Sequence, residues 1–368
     1  MKTKILITGG SGLLGTNWAL YLRKKFSVVL LLNKKNISLE DINTDIVTLN
    51  SFEECLYVIK KHQPNIVINT AGLTNVELCE SNPNLAESSN VELAKNIAIA
   101  CNQQSIKLIH ISTDHLFSGN KKFYSETCHT NPLNNYAKTK LSAEKQVLKN
   151  SKNALIIRTN FFGWGTEYRE SFSDFIINSL RHNKKIELFS DVFFTPIFVN
   201  ELFKQTLNLV DKNANGIFNV VGNERISKYE FGIKIAYYFK LNASLIRKIC
   251  INDKTQLVKR PKDMSLCNDK LNTTVECKIP NLGEQIKNLK KKEKNGVNSK
   301  AKINIIPYGK HFIDDDDIKS VVDVLKNGML TQGPKVSEFE NKIANYVGAK
   351  YAVAVANGTA ALHLACLV

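Results

Sequence analysis

The most chemically loaded pair in the chain is Tyr136 and Lys140, a YxxxK spacing. Residues i and i+4 of a helix share one face, so this spacing sets an ammonium beside a phenol. A neighbouring cation favours phenolate and lowers the phenol pKa toward the range useful for acid–base work. The same spacing recurs at Tyr21/Lys25, Tyr57/Lys61 and Tyr346/Lys350, so in a Lys-rich chain it selects nothing by itself. Context selects. Tyr136 follows Ser112-Thr113-Asp114, which closes one apolar run, and Asn69-Thr70-Ala71-Gly72 closes another. In a parallel α/β sheet the ligand crevice lies at the carboxyl ends of the strands. These polar strand ends and the Tyr/Lys helix are therefore expected at one cleft, a setting the other three pairs lack.

A second constellation opens the chain. Gly9-Gly10-Ser11-Gly12-Leu13-Leu14-Gly15 places glycines at i, i+3 and i+6 between a first apolar run and a first helix. Such glycines allow a tight turn and close approach of a pyrophosphate to the helix N-terminus. Gly9, Gly12, Leu13, Leu14 and Gly15, with Ala71 and Gly72, are the expected dinucleotide-binding positions. A site for NAD(H) places Asp or Glu at the end of the second strand to bind the ribose 2′-hydroxyl. Here that place holds Asn33-Lys34-Lys35. The missing acid and the adjacent cations favour NADP(H), with Asn33 and Lys34 at the 2′-phosphate.

The elements that must position these groups are legible as an alternation. Apolar runs at Lys4–Thr8, 27–32, 66–69, 107–112 and 154–159 read as strands, with helices near 16–25, 52–61, 85–101 and 135–148 between them. Unbroken apolar strands suit a parallel sheet covered on both faces. The pattern predicts a doubly wound, Rossmann-type α/β fold. Beyond Phe161 the rhythm is less regular, with helices near 171–182, 200–210 and 228–240 and strands near 186–189 and 217–221. That suits a smaller C-terminal substrate lobe. The expected division is a core at 1–165, a substrate lobe at 166–286 with segments returning to the core, a Lys-rich solvated linker at 287–302 and a tail at 303–368.

Composition removes other classes. The 368 residues carry a net charge of +16, which invites a nucleic-acid reading, but only seven of the 50 basic residues are Arg. Arg is the residue that forks onto phosphates and bases, so no nucleic-acid partner is expected. The charge is also uneven, with six Lys and one Glu in 287–300 and seven of each sign in 301–368. No apolar run approaches the roughly 18 residues of a membrane span. The eight Cys show no CxxC spacing, which leaves no zinc site or disulfide framework and makes a reducing cytoplasm the expected location.

Residues 1 to about 290 resemble an extended short-chain dehydrogenase/reductase, most closely the dTDP-4-dehydrorhamnose reductase group. The resemblance rests on the glycine turn, Asn69 through Glu77, Asn90, Ser112-Thr113-Asp114, Glu126, and Pro132 through Lys140 with Glu144. It continues through Arg158-Thr159, Asp191, Thr195-Pro196 and Arg260-Pro261-Lys262-Asp263-Met264. It implies reduction of a 4-keto group on a nucleotide-linked 6-deoxysugar. Thr113 would hydrogen-bond the C4 oxygen, Tyr136 would donate its proton, and Lys140 would hold the nicotinamide ribose and depress the Tyr pKa. Asp114, His115, Asn160, Phe162 and Thr195 would line the substrate side, and a homodimer is among the assemblies allowed. His115 replaces the family's aromatic Tyr and Ala137 its Gly, which admits a different deoxysugar. A related 4,6-dehydratase carries Asp-Glu after its Thr, whereas this chain has Asp114-His115. Two alternatives stay open. One is an epimerase/reductase using His110, His115, Cys128 or His182, and the other is a non-catalytic binding module.

Residues 303–368 resemble the start of the pyridoxal-phosphate (PLP) sugar-nucleotide aminotransferases. The resemblance is carried by Ile306-Pro307-Tyr308-Gly309, Gly328 through Val336, Phe339-Glu340, Tyr346 through Val353 and Asn357-Gly358-Thr359-Ala360-Ala361-Leu362. Gly358-Thr359 at a helix start would receive the cofactor phosphate. The family's Schiff-base Lys lies far downstream of that motif, so the PLP site is expected to be incomplete and the tail inert. Leu362, Leu364 and Leu367 are expected to stay poorly buried. The alternative is a chain that belongs functionally to a bifunctional or truncated aminotransferase.

Overall fold

The computed structural model describes residues 2–166, 168–254, 256–294, 314–329 and 333–367. The chain forms two compact units, residues 1–305 and 306–368. In the first unit, strands β1 (Lys4–Thr8), β2 (Ser27–Leu32), β3 (Asn43–Ile46), β4 (Ile66–Asn69), β5 (Lys107–Ile111) and β6 (Ala154–Arg158) build the main sheet. A seventh strand, Gly216–Asn219, returns from the later part of the chain to pair with β6. The order is Gly216–Asn219, β6, β5, β4, β1, β2, β3, and every pairing is parallel. This is the doubly wound arrangement that the alternation predicts. The chain reverses direction across the sheet between β1 and β4, where such folds open their ligand crevice.

Both faces are covered. On one side Val58, Ile59, Ile97, Cys101, Ala143 and Val147, from helices Phe52–His62, Leu93–Gln103 and Asn135–Asn150, pack on Leu6, Val67, Leu108 and Ile156. On the other, Trp18 of helix Leu13–Leu22 stacks on Phe203 of helix Val199–Asp211, with ring centroids 4.7 Å apart. Trp18 is fully buried; truncating a side chain of this size costs about 3–5 kcal/mol. Register matters for the chemistry. Thr8 pairs with Asn69 and Asn69 with His110, so three polar side chains sit level at the carboxyl ends of β1, β4 and β5.

The lobe contains helices Phe172–Arg181 and Lys228–Phe239 and the parallel pair Ile186–Phe189 with Ile246–Ile249. Two features depart from the sequence reading. The segment expected as a helix near 85–101 is broken into Pro83–Glu87, a π-helical turn at Ser88–Glu92, and Leu93–Gln103. The expected solvated linker at 287–302 is helical through Lys294, as part of Leu282–Lys294. Leu282, Ile286 and Leu289 are buried. Trp164 Nε1 donates to the Leu289 carbonyl at 3.0 Å and Arg181 pairs with Glu293 at 2.6 Å. Spacing of i, i+4 and i+7 made an apolar stripe that the surrounding lysines masked. The remainder of that linker, 295–302, lies outside the described residues.

The second unit contains helices Asp315–Asn327, Pro334–Val347 and Gly358–Leu367. Asp314 caps the first, accepting from the Asp316 and Asp317 amides, as its acidic run predicts. The apolar segment 351–356 forms no strand; among the described residues no other segment pairs with it, and an isolated strand has no ladder to hold it.

Candidate active site

The glycine turn is built by crowding. Gly9 has φ +66°, and a Cβ there would lie 2.7 Å from the Ala71 nitrogen. A Cβ on Gly15 would lie 2.6 Å from the Gly9 carbonyl. Glycine is required at Gly9 for its left-handed backbone and at Gly15 for close helix–strand packing. Gly12 starts helix Leu13–Leu22 in extended conformation with no side-chain cap. The first-turn N–H groups are thus left to an anion. Leu13 and Leu14 contribute that turn, Leu14 with its side chain in the core. Tyr168 donates its hydroxyl proton to the Ser11 carbonyl at 2.6 Å and carries the Lys35 ammonium over its ring at 4.1 Å. Asn33 and Lys34 are exposed at the end of β2. A dinucleotide with a 2′-phosphate fits this donor set.

The strand ends beside it are locked by a buried polar network. Asn69 Oδ1 accepts from the Thr8 hydroxyl at 2.7 Å and from the Ala71 amide at 3.1 Å, which leaves Asn69 Nδ2 to donate to His110 Nδ1 at 3.1 Å. Asn90, in the π turn, accepts from the Leu73 amide at 2.7 Å and donates to Thr139 Oγ1 at 3.0 Å. It therefore ties the Gly72–Leu73 loop to helix Asn135–Asn150. A Cβ on Gly72 would meet Asn90 Oδ1 at 2.8 Å. π turns recur at functional sites, but no sequence pattern announces this one.

Tyr136, Thr113 and Lys140 converge on this end of the sheet, all three buried. Asn134 caps the Tyr/Lys helix by accepting from the Ala137 amide at 2.9 Å, so Tyr136 and Lys140 leave its first turns. Burial pushes the Tyr136 phenol up to about 12, opposed by a hydrogen bond with Thr113 and reinforced by the Asp114 charge. This reverses the expectation that Lys140 depresses it. The Lys140 ammonium donates instead to the Ile111 carbonyl at 2.6 Å, and burial lowers its own pKa to about 8.

On the lobe side, Asp114 is buried and accepts from Asn160 Nδ2 at 2.6 Å. The His115 ring meets the Tyr136 ring edge-on at 5.6 Å. Two expected substrate residues are placed elsewhere. Phe162 is in the core against Phe198 and Phe231, and the Thr195 hydroxyl accepts from the buried Leu266 amide at 3.1 Å. A phenyl ring follows the apolar packing available to it, and Thr195 satisfies a backbone N–H that would otherwise be orphaned. The Cys/His groups of the epimerase alternative do not gather. His110 bonds Asn69, Cys128 lies 3.3 Å from Ser125 Oγ, and His182 is exposed with Nδ1 against its own helix. Among the described residues, no three His, Cys, Asp or Glu side chains are grouped to hold a metal, and no helix is long and apolar enough to cross a membrane.

Two further groups escaped the sequence reading. Arg158 and Glu144 form a buried, two-point ion pair at 2.9 and 2.7 Å behind the Tyr/Lys helix. Lys228, at the start of helix Lys228–Phe239, rests its ammonium 3.4 Å from the Phe194 ring centroid. As one lysine among many, it carried no signal.

A parallel sheet with this glycine turn and a Thr/Tyr/Lys cluster at its strand ends defines a dinucleotide-binding α/β fold of the dehydrogenase/reductase type. Residues 3–295 match the model of the RmlD substrate binding domain, and the chain belongs to that family. Residues 311–368 match the DegT/DnrJ/EryC1/StrS aminotransferase family. A probable low-salt glycan biosynthesis reductase of Haloferax volcanii is 28% identical over 284 residues, covering 76% of this chain and 95% of that protein. Methionine adenosyltransferase 2 subunit beta of Rattus norvegicus is 30% identical, covering 73% of this chain and 82% of that protein. Among solved structures, a Bacillus anthracis dTDP-4-dehydrorhamnose reductase in complex with NADP superposes with a TM-score of 0.71 at 23% identity, over 79% of this chain and 100% of that one. A hypothetical dTDP-4-dehydrorhamnose reductase of Sulfolobus tokodaii gives 0.66 at 30% identity, over 74% of this chain and 94% of that one.

Proposed function

We propose that this protein uses NADPH to reduce the 4-keto group of a nucleotide-linked 6-deoxysugar. The observation that carries the reading is the buried Tyr136 phenol, hydrogen-bonded to Thr113, at the same sheet end as the glycine turn. Relatives named as a glycan biosynthesis reductase and as dTDP-4-dehydrorhamnose reductases support it.

The residues divide the work. Gly9, Gly12, Leu13, Leu14 and Gly15 would hold the cofactor pyrophosphate, Ala71 and Gly72 would border the nicotinamide, and Asn33 and Lys34 would meet the 2′-phosphate. Bound there, the nicotinamide supplies the hydride. Thr113 and Tyr136 address the carbonyl oxygen, and Tyr136 gives it the proton as negative charge develops. A phenol near 12 remains protonated at neutral pH, which suits a proton donor. Lys140 would hold the nicotinamide ribose, and its position is set by the Ile111 carbonyl. Asp114, oriented by Asn160, and His115 would face the sugar.

We infer that the aminotransferase-like segment plays no part in this reduction. Leu362, Leu364 and Leu367 are 71%, 44% and 71% exposed, and among the described residues nothing lies within 4 Å of a Cβ placed on Gly358. A cytoplasmic location follows from the soluble substrates of this chemistry.

The test is a screen of dTDP-, UDP- and GDP-linked 4-keto-6-deoxysugars with NADPH and NADH, followed by incubation with PLP and an amino donor. The expected result is NADPH consumption with at least one sugar nucleotide, weaker use of NADH and no amino sugar. Binding of a sugar nucleotide without NADPH consumption by any of the set would overturn the reading in favour of a binding subunit.

A further inference from the structure

The chain between Phe162 and Phe172 is folded back on itself by its own hydrogen bonds. The Gly165 and Ser171 amides donate to one Asp174 carboxylate oxygen at 2.5 and 2.9 Å, and the Ser171 and Ser173 hydroxyls donate to the Gly163 carbonyl at 2.6 and 2.8 Å. Further out, Thr166 and Arg169 exchange backbone bonds at 3.0 and 3.3 Å. Asn17 ties this loop to the first helix, its Nδ2 donating to the Leu13 and Trp164 carbonyls, both at 2.9 Å. The next contacts reach both banks of the crevice. Tyr168 donates its hydroxyl proton to the Ser11 carbonyl, in the turn after β1, at 2.6 Å. Arg169 Nη2 donates to Thr74 Oγ1, in the segment after β4, at 2.7 Å. Two consecutive residues thus span the point where the chain reverses across the sheet.

A pyrophosphate at this turn brings negative charge that needs an answer. The turn offers amide N–H groups and a helix dipole, but residues 9–22 contain no Lys or Arg. Arg169 can supply the missing cation, since its chain neighbour Tyr168 already touches the turn. Among the described residues, the Arg169 side chain bonds only the neutral Thr74 hydroxyl, and both residues are exposed. A guanidinium carries five donors in a fixed fork, and hydrogen bonds to an ionised acceptor are roughly twice as strong as neutral ones. A phosphate oxygen is therefore a better partner than Thr74. Lys35, 4.1 Å from the Tyr168 ring centroid, brings the segment after β2 onto the same loop.

We propose that Arg169 exchanges the Thr74 hydroxyl for the cofactor pyrophosphate and forks onto it, while Tyr168 keeps the loop on the glycine turn. The inference rests on the function proposed above, in which a dinucleotide occupies this turn. The pyrophosphate is common to NADPH and NADH, so Arg169 serves affinity for both and does not choose between them. Hydrogen bonds to charged groups are worth enough that losing this fork should weaken binding about 10-fold.

The test is fluorescence titration of the full chain with NADPH and NADH, for wild type, Arg169→Met, Arg169→Lys and Thr74→Val. Arg169→Met should weaken both dinucleotides by the same factor, about 10-fold. Arg169→Lys should recover part of that loss, because an ammonium cannot fork. Thr74→Val should keep both affinities at the wild-type value or tighten them, since it only frees the guanidinium. Thermal midpoints without cofactor verify that the substituted proteins are folded. A loss confined to NADPH would put Arg169 on the 2′-phosphate, and equal losses from Arg169→Met and Thr74→Val would make their bond a structural tie. Either result overturns the proposal, as does an Arg169→Met protein that binds like wild type. A wild type that binds neither dinucleotide would overturn the cofactor reading and this inference together. A wild type that binds both, loses both through Arg169→Met and reduces no keto-sugar would overturn the reductase reading and leave the fork standing.

Discussion

Two helices in this molecule begin with the same chemistry and differ in what surrounds them. At Gly9–Gly15 the turn is wedged against the next strand end, with Ala71 against Gly9 and the Gly9 carbonyl against Gly15. The helix that follows buries Trp18, Ala19 and Leu22. At Asn357-Gly358-Thr359 the helix start carries a side-chain cap that Gly12 lacks, Asn357 Oδ1 accepting from the Ala360 amide at 2.9 Å. Yet a Cβ on Gly358 would touch nothing, and helix Gly358–Leu367 buries no residue among those described. Free N–H groups and a favourable dipole are common to both. A second strand end pressed on the turn, which fixes where a ligand must lie, belongs only to the first.

The largest effect should separate chemistry from scaffold. Tyr136→Phe removes the proton donor while keeping the ring, so turnover should fall about 10²- to 10⁴-fold with NADPH affinity preserved in a fluorescence titration. A similar fall in affinity would mean the phenol serves binding instead. Next comes Arg158→Met, which leaves Glu144 buried without its partner. Breaking such a pair costs about 3–5 kcal/mol, and calorimetry should register a drop of roughly 10 °C in the first unit's transition. An unchanged midpoint would show that the pair is dispensable.

The two glycine turns can then be set against each other directly. Gly9→Ala forces a side chain into a left-handed backbone and should cost about 1–3 kcal/mol together with most NADPH affinity. Gly358→Ala should change stability by less than about 1 kcal/mol in either direction. Similar responses from both would erase the distinction drawn between them.

A subtler effect is pH. Lys140 titrates near 8, so kcat/KM should fall as pH rises through about 8, while Tyr136, near 12, stays protonated throughout. Lys228 has a similar value, and Lys228→Met should keep the fall if Lys140 causes it. Stability should move the opposite way. A lysine depressed in the fold gives up its proton before the unfolded chain does, whose lysines titrate near 10.4. The unfolded state then binds more protons, so stability climbs between about pH 8 and 10. Denaturant midpoints falling across that window would contradict the burial of these ammonium groups. The smallest effect is expected from removing residues 306–368, which should leave the first unit's midpoint and turnover within error. Cutting at 290 would instead sever the helix that places Leu289 beneath Trp164.

Much of the first unit is written locally. Five apolar runs became β1, β2, β4, β5 and β6 because uninterrupted Ile, Leu and Val segments suit a sheet covered on both faces. Thr113, Tyr136 and Lys140 came together because strand ends and the first turns of the following helix share one edge of such a sheet. What stayed hidden depends on long-range packing. The tie made by Asn90 requires knowing that Leu73 and Thr139 lie beside it. Phe162 read as a pocket residue until Phe198 and Phe231 took it into the core. The buried stripe of Leu282, Ile286 and Leu289 was masked by lysines that point outward from the same helix.

On the proposed function, hydride from the nicotinamide and a proton from Tyr136 reach one sugar carbonyl. The direct measurement is turnover of a nucleotide-linked 4-keto-6-deoxysugar with NADPH carrying deuterium at both positions of nicotinamide C4, read by NMR of the isolated sugar. One deuterium at sugar C4 from the wild type, and almost none from Tyr136→Phe in the same time, is the expected result. Oxidation of NADPH with no deuterium at C4, or equal incorporation by both proteins, would contradict it.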